Sequence, residues 1–358
     1  MLESASNPSP TMRQIAERAG VNRSTVSLAL RDDYRLKPET RERIQAVAAE
    51  MGYRRNPTVA QLMTQLRAGQ KHHFHSNLAL LDFGISHVTP HTELRDGVDR
   101  HAHDLGYGLE VFHSKEITPS RLEQILIARG IKGLLITSLW GDNRLPDSYL
   151  PLWPKFSCCV IGGHTINPEL HFVADDIYST SMRAVEELRR LGFRRIGLAI
   201  HKRINIQMEH RFVAGYLAGH LRHSPLRHPP IHLLEPEVEA EPASRAKFLS
   251  WLERVKPQVV VCMQLEILEW IREAGYRVPQ DVSVVHLDVF LGGKAWAGML
   301  QKRALWGAAA VDTVVGQINR KETGLPTSPK CILIQSIWQP GDTLGAPPRL
   351  LTGKRVSP

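Results

Sequence analysis

Apolar and polar residues alternate with helical spacing in three short segments near the start of the chain. The first begins at Thr11, whose hydroxyl can cap a helix, and ends at Gly20, which tolerates the left-handed conformation found at helix ends. Val21 and Asn22 form a turn before a second short helix over residues 23–30. The pattern therefore predicts two helices joined by a tight turn.

A third helix is predicted from Pro38 onward, because proline suits the first turn of a helix. Its apolar positions form one stripe: Ile44, Val47, Ala48 and Met51. In the first two helices, small or apolar residues stand where two steeply crossing helices must touch: Ala16, Gly20, Val26 and Ala29. The three segments predict a helix-turn-helix domain, in which the second helix can enter the major groove of DNA.

Positive charge is concentrated in this part of the 358-residue chain. The first 72 residues contain 12 lysines and arginines against seven aspartates and glutamates, whereas the remaining residues contain 33 against 29. A basic excess alone is often only a solvated surface, but contacts with phosphates require one. Beside a helix-turn-helix pattern, the charge supports binding to double-stranded DNA.

From Asn77 onward, apolar runs alternate with amphipathic segments. The runs predicted as strands are 78–81, 108–112, 133–136, 158–161, 195–200, 259–262, 282–287 and 331–334. The segments predicted as helices are 93–105, 120–128, 179–191, 211–221, 243–255, 265–274 and 304–320. This alternation is typical of parallel sheets in doubly wound α/β domains.

Motifs that would indicate an enzyme are absent from the sequence. It contains no phosphate-binding loop, no nucleophile elbow, no zinc-protease motif and no dinucleotide-binding glycine pattern after the first strand. The acidic pairs Asp32-Asp33 and Asp175-Asp176 fit turns and helix caps better than an acid/base dyad. We therefore expect a binding protein without catalytic residues or a cofactor.

The cysteines and histidines do not indicate a metal site or a disulfide framework. The four cysteines lack the paired spacing of such sites and stand in apolar runs, which predicts buried free thiols: Cys158, Cys159, Cys262 and Cys331. A histidine group at 72, 73 and 75 lies on a polar connector with no cysteine or carboxylate beside it. A solvated linker is favoured there over a metal site.

Targeting and membrane segments are also not indicated. The first ten residues lack the positive and apolar regions of a secretory signal, and no segment is apolar over the ~18 residues that a membrane span needs. A cytoplasmic protein without membrane contact is expected.

The helical segments match one family in detail. The matching pieces are Ile15-Ala16, Ala19-Gly20-Val21, Ser24-Thr25-Val26-Ser27, Thr40-Arg41 and Gly52-Tyr53 with Asn56. At this spacing they resemble the N-terminal domain of the lactose-repressor (LacI/GalR) family of bacterial transcription regulators. Landmarks of the later chain, at 173–176, 273–285 and 307–312, are similar to the same family.

The resemblance implies an all-α helix-turn-helix DNA-binding domain followed by an α/β body of the periplasmic-binding-protein type with two doubly wound lobes. The implied domains are a DNA-binding domain at 1–56, a hinge helix and linker at 57–75, an effector-binding and dimerisation domain at 76–341, and a flexible tail at 342–358. Lobe one is expected at about 76–174 and 289–321, and lobe two at about 175–288 and 322–341. The crossings between lobes are then expected near Asp175, near Asp288 and within 321–329.

By position, the resemblance implies base contacts from three residues of the second helix: Arg23, Ser24 and Leu28. It implies contacts with the DNA backbone from Thr11, Asn22, Thr25, Ser27, Arg31, Tyr53 and Asn56. The guanidinium of Arg23 can bind guanine O6 and N7 together, which is worth about 1–3 kcal/mol of discrimination. Leu28 stands where the family usually has arginine, so it either makes an apolar contact with a base or is a partly buried packing residue.

Residues 57–69 can form a short helix with few charges. In the family this segment folds when two subunits lie on DNA, and an apolar side chain from each enters the minor groove and kinks the duplex. Different alignments place that residue at Leu62, Met63 or Leu66, and Leu62 is the preferred assignment. The alternative is a linker helix in which Leu62 and Leu66 pack against a partner.

The resemblance also implies a small effector, a carbohydrate, in the cleft between the lobes. Four residues are candidates for that pocket: Asp288, Arg211, Trp140 and Trp296. The family pattern is only partly kept, because Arg211 stands one residue early and the sequence around Asp288 lacks a glycine and a second aspartate. The tryptophans suit stacking on a ring, although packing is the commoner role of a lone tryptophan.

Together these implications describe a transcriptional regulator, expected to be a repressor, that binds a pseudo-palindromic operator under the control of a small molecule. The last residues of the sequence show no leucine heptads of the kind that would build a tetramer, so a homodimer is expected. The alternative is a ligand-binding module of the periplasmic-binding-protein type without a transcriptional role. The basic helical domain argues against that alternative.

Overall fold

A computed structural model describes residues 10–30, 36–51, 53, 76–84, 92–137, 143–163, 165, 167–223, 231–234, 241–293 and 295–347. The chain divides into two compact units, Met1–His73 and Phe74–Pro358. The described residues of the first unit, 10–53, are called the head. Those of the second unit, 76–347, are called the body.

Three helices form the described part of the head: α1 (Met12–Ala19), α2 (Arg23–Ala29) and α3 (Pro38–Glu50). Their apolar positions meet in one small core: Ile15, Ala16, Ala19, Val26, Ala29, Ile44 and Ala48. Val47 and Met51 of the predicted stripe pack at its edge. The three helices predicted from apolar spacing are confirmed.

Lobe one of the body is built on a six-stranded parallel sheet. Its strands are β1 (Ser76–Asp82), β2 (Tyr107–His113), β3 (Gly133–Thr137), β4 (Ser157–Ile161), β5 (His171–Asp175) and β11 (Cys331–Ile334). Their spatial order is β11-β5-β4-β3-β1-β2. Because successive side chains of a strand point to opposite faces, the sheet buries two apolar layers. The helices α4 (Thr92–Asp104) and α12 (Arg303–Arg320) cover one face, and α5 (Pro119–Ala128) covers the other.

Lobe two repeats this plan. Its strands are β6 (Ile196–His201), β7 (Ile231–Leu234), β8 (Val259–Cys262), β9 (Ser283–His286), β10 (Ala297–Leu300) and β12 (Ile337–Gln339). Their order is β12-β10-β9-β8-β6-β7, and β12 is the antiparallel member. One face is covered by α6 (Ile177–Arg190) and α8 (Arg211–His223), the other by α9 (Glu241–Val255) and α10 (Glu266–Glu273). Two short helices, α7 (Lys202–Gln207) and α11 (Val289–Gly292), follow β6 and β9.

The chain crosses between the two sheets three times: after β5, between β10 and α12, and between β11 and β12. The second and third crossings lie later than the sequence predicted. Residues 289–300 belong to lobe two and not to lobe one, while β11 belongs to lobe one and not to lobe two. Four strands were not predicted: β5, β7, β10 and β12. Each contains a polar residue or a glycine, so it lacks the continuous apolar run of an equally short strand such as β8.

The cysteines follow the sheet edges. Cys158, Cys159 and Cys262 are buried free thiols on strands, whereas Cys331 is exposed because β11 is the edge strand of its sheet. The predicted burial was therefore wrong at Cys331. Among the described residues, no group of histidines, cysteines and carboxylates is arranged to hold a metal ion. In the same residues, no helix is both long and apolar enough to cross a membrane.

Candidate functional site

Local hydrogen bonds set the turn between α1 and α2. The Thr11 hydroxyl accepts a hydrogen bond from the backbone N–H of Gln14 at 3.4 Å. In return, Oε1 of Gln14 accepts one from the backbone N–H of Thr11 at 2.8 Å. At the other end of α1, Gly20 has a φ of 64°, in the left-handed region. The N–H of Val21 then donates to the carbonyl of Ala16 at 3.0 Å. The chain therefore leaves α1 in a fixed direction and enters α2 after three residues.

Side chains of α3 hold the carboxyl ends of the other two helices. Gln45 Nε2 donates to the carbonyl of Ala29 at 2.9 Å, and Arg43 Nη1 donates to the carbonyl of Ala19 at 3.3 Å. Both bonds satisfy carbonyls that a helix end leaves free. One fully buried residue from each helix lies in the core between them: Ile15, Val26 and Ile44. Helix α2 is thereby a rigidly positioned element.

The outward face of α2 carries the residues predicted to contact bases. Arg23 and Ser24 are exposed in its first turn, and Leu28 is half-buried. Val26 and Ala29 face the core. The first turn of α2 contains no acidic residue that would repel phosphates. Arg23 and Ser24 are therefore accessible for contact, while the partial burial of Leu28 fits either of its two interpretations.

The residues predicted to contact the DNA backbone differ in exposure. Thr11 and Asn22 are exposed, whereas Thr25, Ser27 and Tyr53 are half-buried. Asn22 precedes α2 without a side-chain capping bond, and its exposure is compatible with a phosphate contact. Six predicted site residues lie outside the described part of the chain: Arg31, Asn56, Leu62, Met63, Leu66 and Trp140.

In the body, a buried ion pair lies where the chain crosses between the lobes. Asp288 follows β9, and Arg303 is the first residue of α12. Arg303 Nη2 donates to Asp288 Oδ2, and the two residues are only 8% and 3% exposed. The guanidinium lies 4.3 Å from the centroid of the Phe290 ring, an arrangement that favours a cation. The Asp288 carboxylate is thus partly engaged within the protein.

Asp175, at the carboxyl end of β5, belongs to the same region. The pKa of its carboxyl is raised to about 7, mainly by burial and in part by the nearby Asp288 and Asp176. A 2.7 Å hydrogen bond from Thr180 Oγ1 to Oδ2 and the charge of Arg303 act in the opposite direction. Near pH 7 the side chain therefore divides between its protonated and ionised forms.

Asp288 is shifted in the same direction. Its pKa is raised to about 6, mainly by burial and in part by repulsion from Glu93 of α4, while Arg303 and the Phe290 backbone oppose the shift. Within the described residues, Oδ1 of Asp175 and Oδ1 of Asp288 are both buried without a hydrogen-bond partner. The crossing region thus combines a negative excess with unused acceptors.

Gln264 follows β8, the strand next to β9, and its side-chain amide has no hydrogen-bond partner in the described part of the chain. Because Cys262 pairs with His286 in the parallel β8–β9 register, Gln264 and Asp288 each stand two residues beyond that pair. Gln264 is 5% exposed, and neither atom of its amide has a partner among the described residues. This residue can donate to or accept from a bound molecule.

Two other predicted effector residues have different surroundings. Trp296 is buried with its ring edge-to-face against His286, and the centroids are 5.1 Å apart. This contact favours the packing interpretation of Trp296. Arg211 is held on the surface by Glu209, with Nη2 at 2.6 Å from Oε2. A ligand contact by Arg211 would need that ion pair to open.

A reciprocal amide contact joins the lobes directly. Asn143 Nδ2, from the segment after β3, donates to the carbonyl of Gln207 at 2.9 Å. Gln207 Nε2, at the end of α7, donates to Asn143 Oδ1 at 3.3 Å. Both residues are buried, so the contact favours this arrangement of the two lobes.

Sequence reasoning identified Asp288 but missed Arg303, Asp175 and Gln264 as members of one cluster. One signal was present for Arg303. An arginine at the start of a helix is unfavourable beside the helix dipole, and this arginine is followed by eight apolar residues, 304–311. Such a residue indicates a buried carboxylate partner. Asp175 was grouped with Asp176 as a cap, but only Asp176 caps α6, accepting from Ser179 N at 3.1 Å.

Two family models match the chain. Residues 11–56 match the lacI family of bacterial regulatory proteins, and residues 185–337 match the periplasmic binding protein-like domain. A curated relative, the HTH-type transcriptional repressor PurR of Mannheimia succiniciproducens, is 21% identical over 350 residues, which cover 91% of this chain and 98% of the relative.

Solved structures share the architecture over nearly the whole chain. The complex of the transcriptional regulator CelR with cellobiose has a TM-score of 0.56 at 19% identity, covering 93% of this chain and 99% of its own. The lac repressor dimer bound to operator and the anti-inducer ONPF has a TM-score of 0.52 at 19% identity, covering 94% and 100%. These similarities confirm the fold of a helix-turn-helix domain joined to a two-lobed α/β body.

Proposed function

Because the chain belongs to the lacI family of bacterial regulatory proteins, we propose that it is a transcriptional repressor whose DNA binding is controlled by a small effector. The observation that carries this proposal is the pairing, in one chain, of a helix-turn-helix with an open recognition face and a two-lobed body with unused polar groups at its crossings. A ligand-binding module alone would have no use for the head.

The DNA target is a pseudo-palindromic operator bound by a homodimer, since two copies of the head then read two half-sites. Arg23 and Ser24 contact base edges, and their exposure in the first turn of α2 supports this role. Leu28 makes at most an apolar base contact. The backbone contacts are those given by the resemblance, and the hinge residue that enters the minor groove is Leu62 or its neighbour Met63.

The effector binds in the body, between the lobes. Asp288 and its neighbours at the crossings are the residues that support this location, because a bound molecule would satisfy their unused groups. A carbohydrate is the class that the family resemblance favours, and CelR was solved with cellobiose. The protein acts by binding and not by catalysis, in the bacterial cytoplasm where its DNA target lies.

Control follows from linkage. A ligand that binds one arrangement of the lobes better than another shifts the population of that arrangement, and DNA affinity changes by no more than this difference in ligand affinity. The Asn143–Gln207 contact and the Asp288–Arg303 pair stabilise one such arrangement.

Selection of bound fragments from a random DNA pool by the full-length protein tests the proposal. We expect enrichment of a pseudo-palindrome by the native protein and a loss or change of that sequence with Arg23→Ala. Arg18→Ala is the matched control, because Arg18 lies on α1 and pairs with Glu50 at 3.3 Å, away from the first turn of α2. Enrichment of no sequence by the native protein would contradict the proposal and favour the ligand-binding module.

A further inference from the structure

One oxygen of the Asp288 carboxylate is already used inside the protein. Arg303 donates to Oδ2, and its guanidinium lies 4.3 Å from the Phe290 ring centroid and 5.9 Å from that of Trp306. The other oxygen, Oδ1, is buried and has no partner among the described residues. A ligand at this position therefore meets one free acceptor that stands beside a fixed cation.

The charges around this pair do not balance. Asp288 is close enough to Asp175 to raise its pKa, and Glu93 is close enough to raise the pKa of Asp288. Asp175, Asp288 and Glu93 are thus three interacting carboxyls near the guanidinium of Arg303, and Asp176 is a fourth that acts on Asp175. Asp175 and Asp288 are 5% and 3% exposed, so water screens their charges poorly. A cationic ligand would neutralise the excess negative charge, whereas a neutral ligand would leave it uncompensated.

The unused acceptors match one donor type. Oδ1 of Asp175 and Oδ1 of Asp288 both lack a donor in the described residues. An ammonium group has three N–H donors and no acceptor, whereas a sugar hydroxyl has one donor and must also find donors of its own. Hydrogen bonds between ionised partners are about twice as strong as those between neutral ones.

Buried N–H donors without acceptors indicate which groups the rest of the ligand must carry. Arg303 Nη1 and Trp306 Nε1 are buried without acceptors in the described part of the chain. Gln264, with both atoms of its amide unused, can serve either kind of group. A simple aliphatic diamine would leave the two N–H groups unsatisfied, which costs about 1–3 kcal/mol for each.

We propose that the effector is a small amine with hydrogen-bond acceptors beside its ammonium group, the chemistry shared by amino sugars and amino acids. Asp175 and Asp288 bind the ammonium, and Arg303 and Trp306 donate to the neighbouring acceptors. The inference rests on the proposed function, because it names the ligand class of the same cleft. It replaces the neutral carbohydrate expected from resemblance with an amine.

Calorimetric titration of the full-length protein with matched probes tests this. The probes are glucosamine against glucose, galactosamine against galactose, the L-amino acids against their N-acetyl forms, and putrescine as an amine without acceptors. We expect at least one amino sugar or amino acid to bind, with its amine-free partner at least about tenfold weaker. Binding only by amino sugars or only by amino acids identifies the source. A neutral sugar that binds as tightly as its amine, putrescine as the tightest probe, or no binding by any amine would overturn the inference.

Variants locate the binding in the cluster. Asp175→Asn and Asp288→Asn keep the side-chain shape and an acceptor for Thr180 or Arg303, and each should weaken amine binding at least about tenfold. Asp281→Asn is the control, because it removes an exposed carboxyl that pairs with Arg277 at 2.8 Å. Thermal melting checks that each variant is folded. Equal amine affinity in all three variants would contradict the assignment.

The pH dependence gives a second readout. The groups facing Asp175 are Thr180, Asp176, Asp288 and Arg303, and those acting on Asp288 are Arg303, the Phe290 backbone and Glu93. Because an ammonium binds the ionised carboxyls, affinity should rise about tenfold or more between pH 5.5 and pH 7. Amine affinity that is constant over this range would overturn the inference.

Binding of the same preparations to the selected operator separates this inference from the proposed function. Sequence-specific DNA binding without any amine binding overturns the amine alone. Amine binding without sequence-specific DNA binding overturns the repressor and leaves the ligand class standing.

Discussion

Asp288 and Arg303 show how one residue pair sets the chemistry of a crossing. A carboxylate and a guanidinium buried together are stable only as a pair, and removing one partner costs about 3–5 kcal/mol. The second oxygen of Asp288 is not used by that pair, and Asp175 offers a further free oxygen nearby. The ion pair therefore links residues on either side of the second crossing, between β10 and α12, and leaves carboxylate oxygens free to accept hydrogen bonds from a ligand.

Asp175→Asn should make the stability of the body less dependent on pH. The folded-state pKa of Asp175 is raised from 3.8 to about 7, so the stability contributed by its proton is complete below pH 4 and lost as the pH rises through 7. Asparagine stays neutral, and we expect the variant to gain roughly 1–3 kcal/mol relative to the native protein between pH 5 and pH 8. Denaturant unfolding at the two pH values measures this. An equal difference at both would contradict the assignment of the shift to Asp175.

Arg23→Ala should weaken operator binding unevenly across sequences. If the guanidinium binds a guanine, the variant loses about 1–3 kcal/mol at the native operator and no longer discriminates at that base pair. Fluorescence anisotropy with single-base operator variants measures both effects, with Arg18→Ala as the control. Uniform weakening on all DNA would mean that Arg23 contacts a phosphate.

At the scale of elements, the amphipathic helices and most apolar strands could be predicted from the sequence. Four strands that contain a polar residue or a glycine could not: β5, β7, β10 and β12. Each of the seven helices predicted for the body is present, because segments of eight or more residues repeat the helical period at least twice. The four-residue β10 contains a glycine with φ of 153°, whose Cβ position is filled by the carbonyl of His286. Only pairing with its neighbours makes such a segment a strand, so the second crossing could not be located from sequence.

Two glycines of α12 differ in the space that is available for a side chain. A Cβ at Gly307 would lie 2.6 Å from the carbonyl oxygen of Leu94 in α4, whereas a Cβ at Gly316 would meet only the end of the Arg320 side chain at 3.1 Å. Gly307→Ala should therefore destabilise the body by about 1–3 kcal/mol. Gly316→Ala should be neutral or slightly stabilising, because alanine favours a helix by up to ~1 kcal/mol over glycine. Thermal unfolding compares the two, and equal effects would contradict the close α4–α12 packing.

The hinge, outside the described residues, remains a prediction from the sequence. Alanine at Leu62, Met63 or Leu66 should reduce operator affinity and DNA bending at one position and have little effect at the other two, because one side chain per subunit enters the minor groove. Gel mobility of circularly permuted operators measures the bend. Unchanged bending in all three variants would favour a linker helix.

At the scale of the whole molecule, the two-part organisation could be predicted from the sequence, but the ligand site could not be completed. The contacts that fold the head join residues close together in the sequence, so its 46 matched residues already contain the fold and its recognition face. The cluster of Asp175, Asp288 and Arg303 is assembled by two separate crossings, and which residues meet there depends on the sheet order. A single chain position such as Asp288 could be found, but its partners could not.

Control of DNA binding by the body is measured as the affinity of the full-length protein for its selected operator, with and without a saturating probe that binds the body. A ligand-controlled repressor predicts a change of at least about fivefold, and the operator should change the affinity for that probe by the same factor. An operator affinity that is identical with and without the bound probe would rule out a ligand-controlled repressor, because head and body would then act independently.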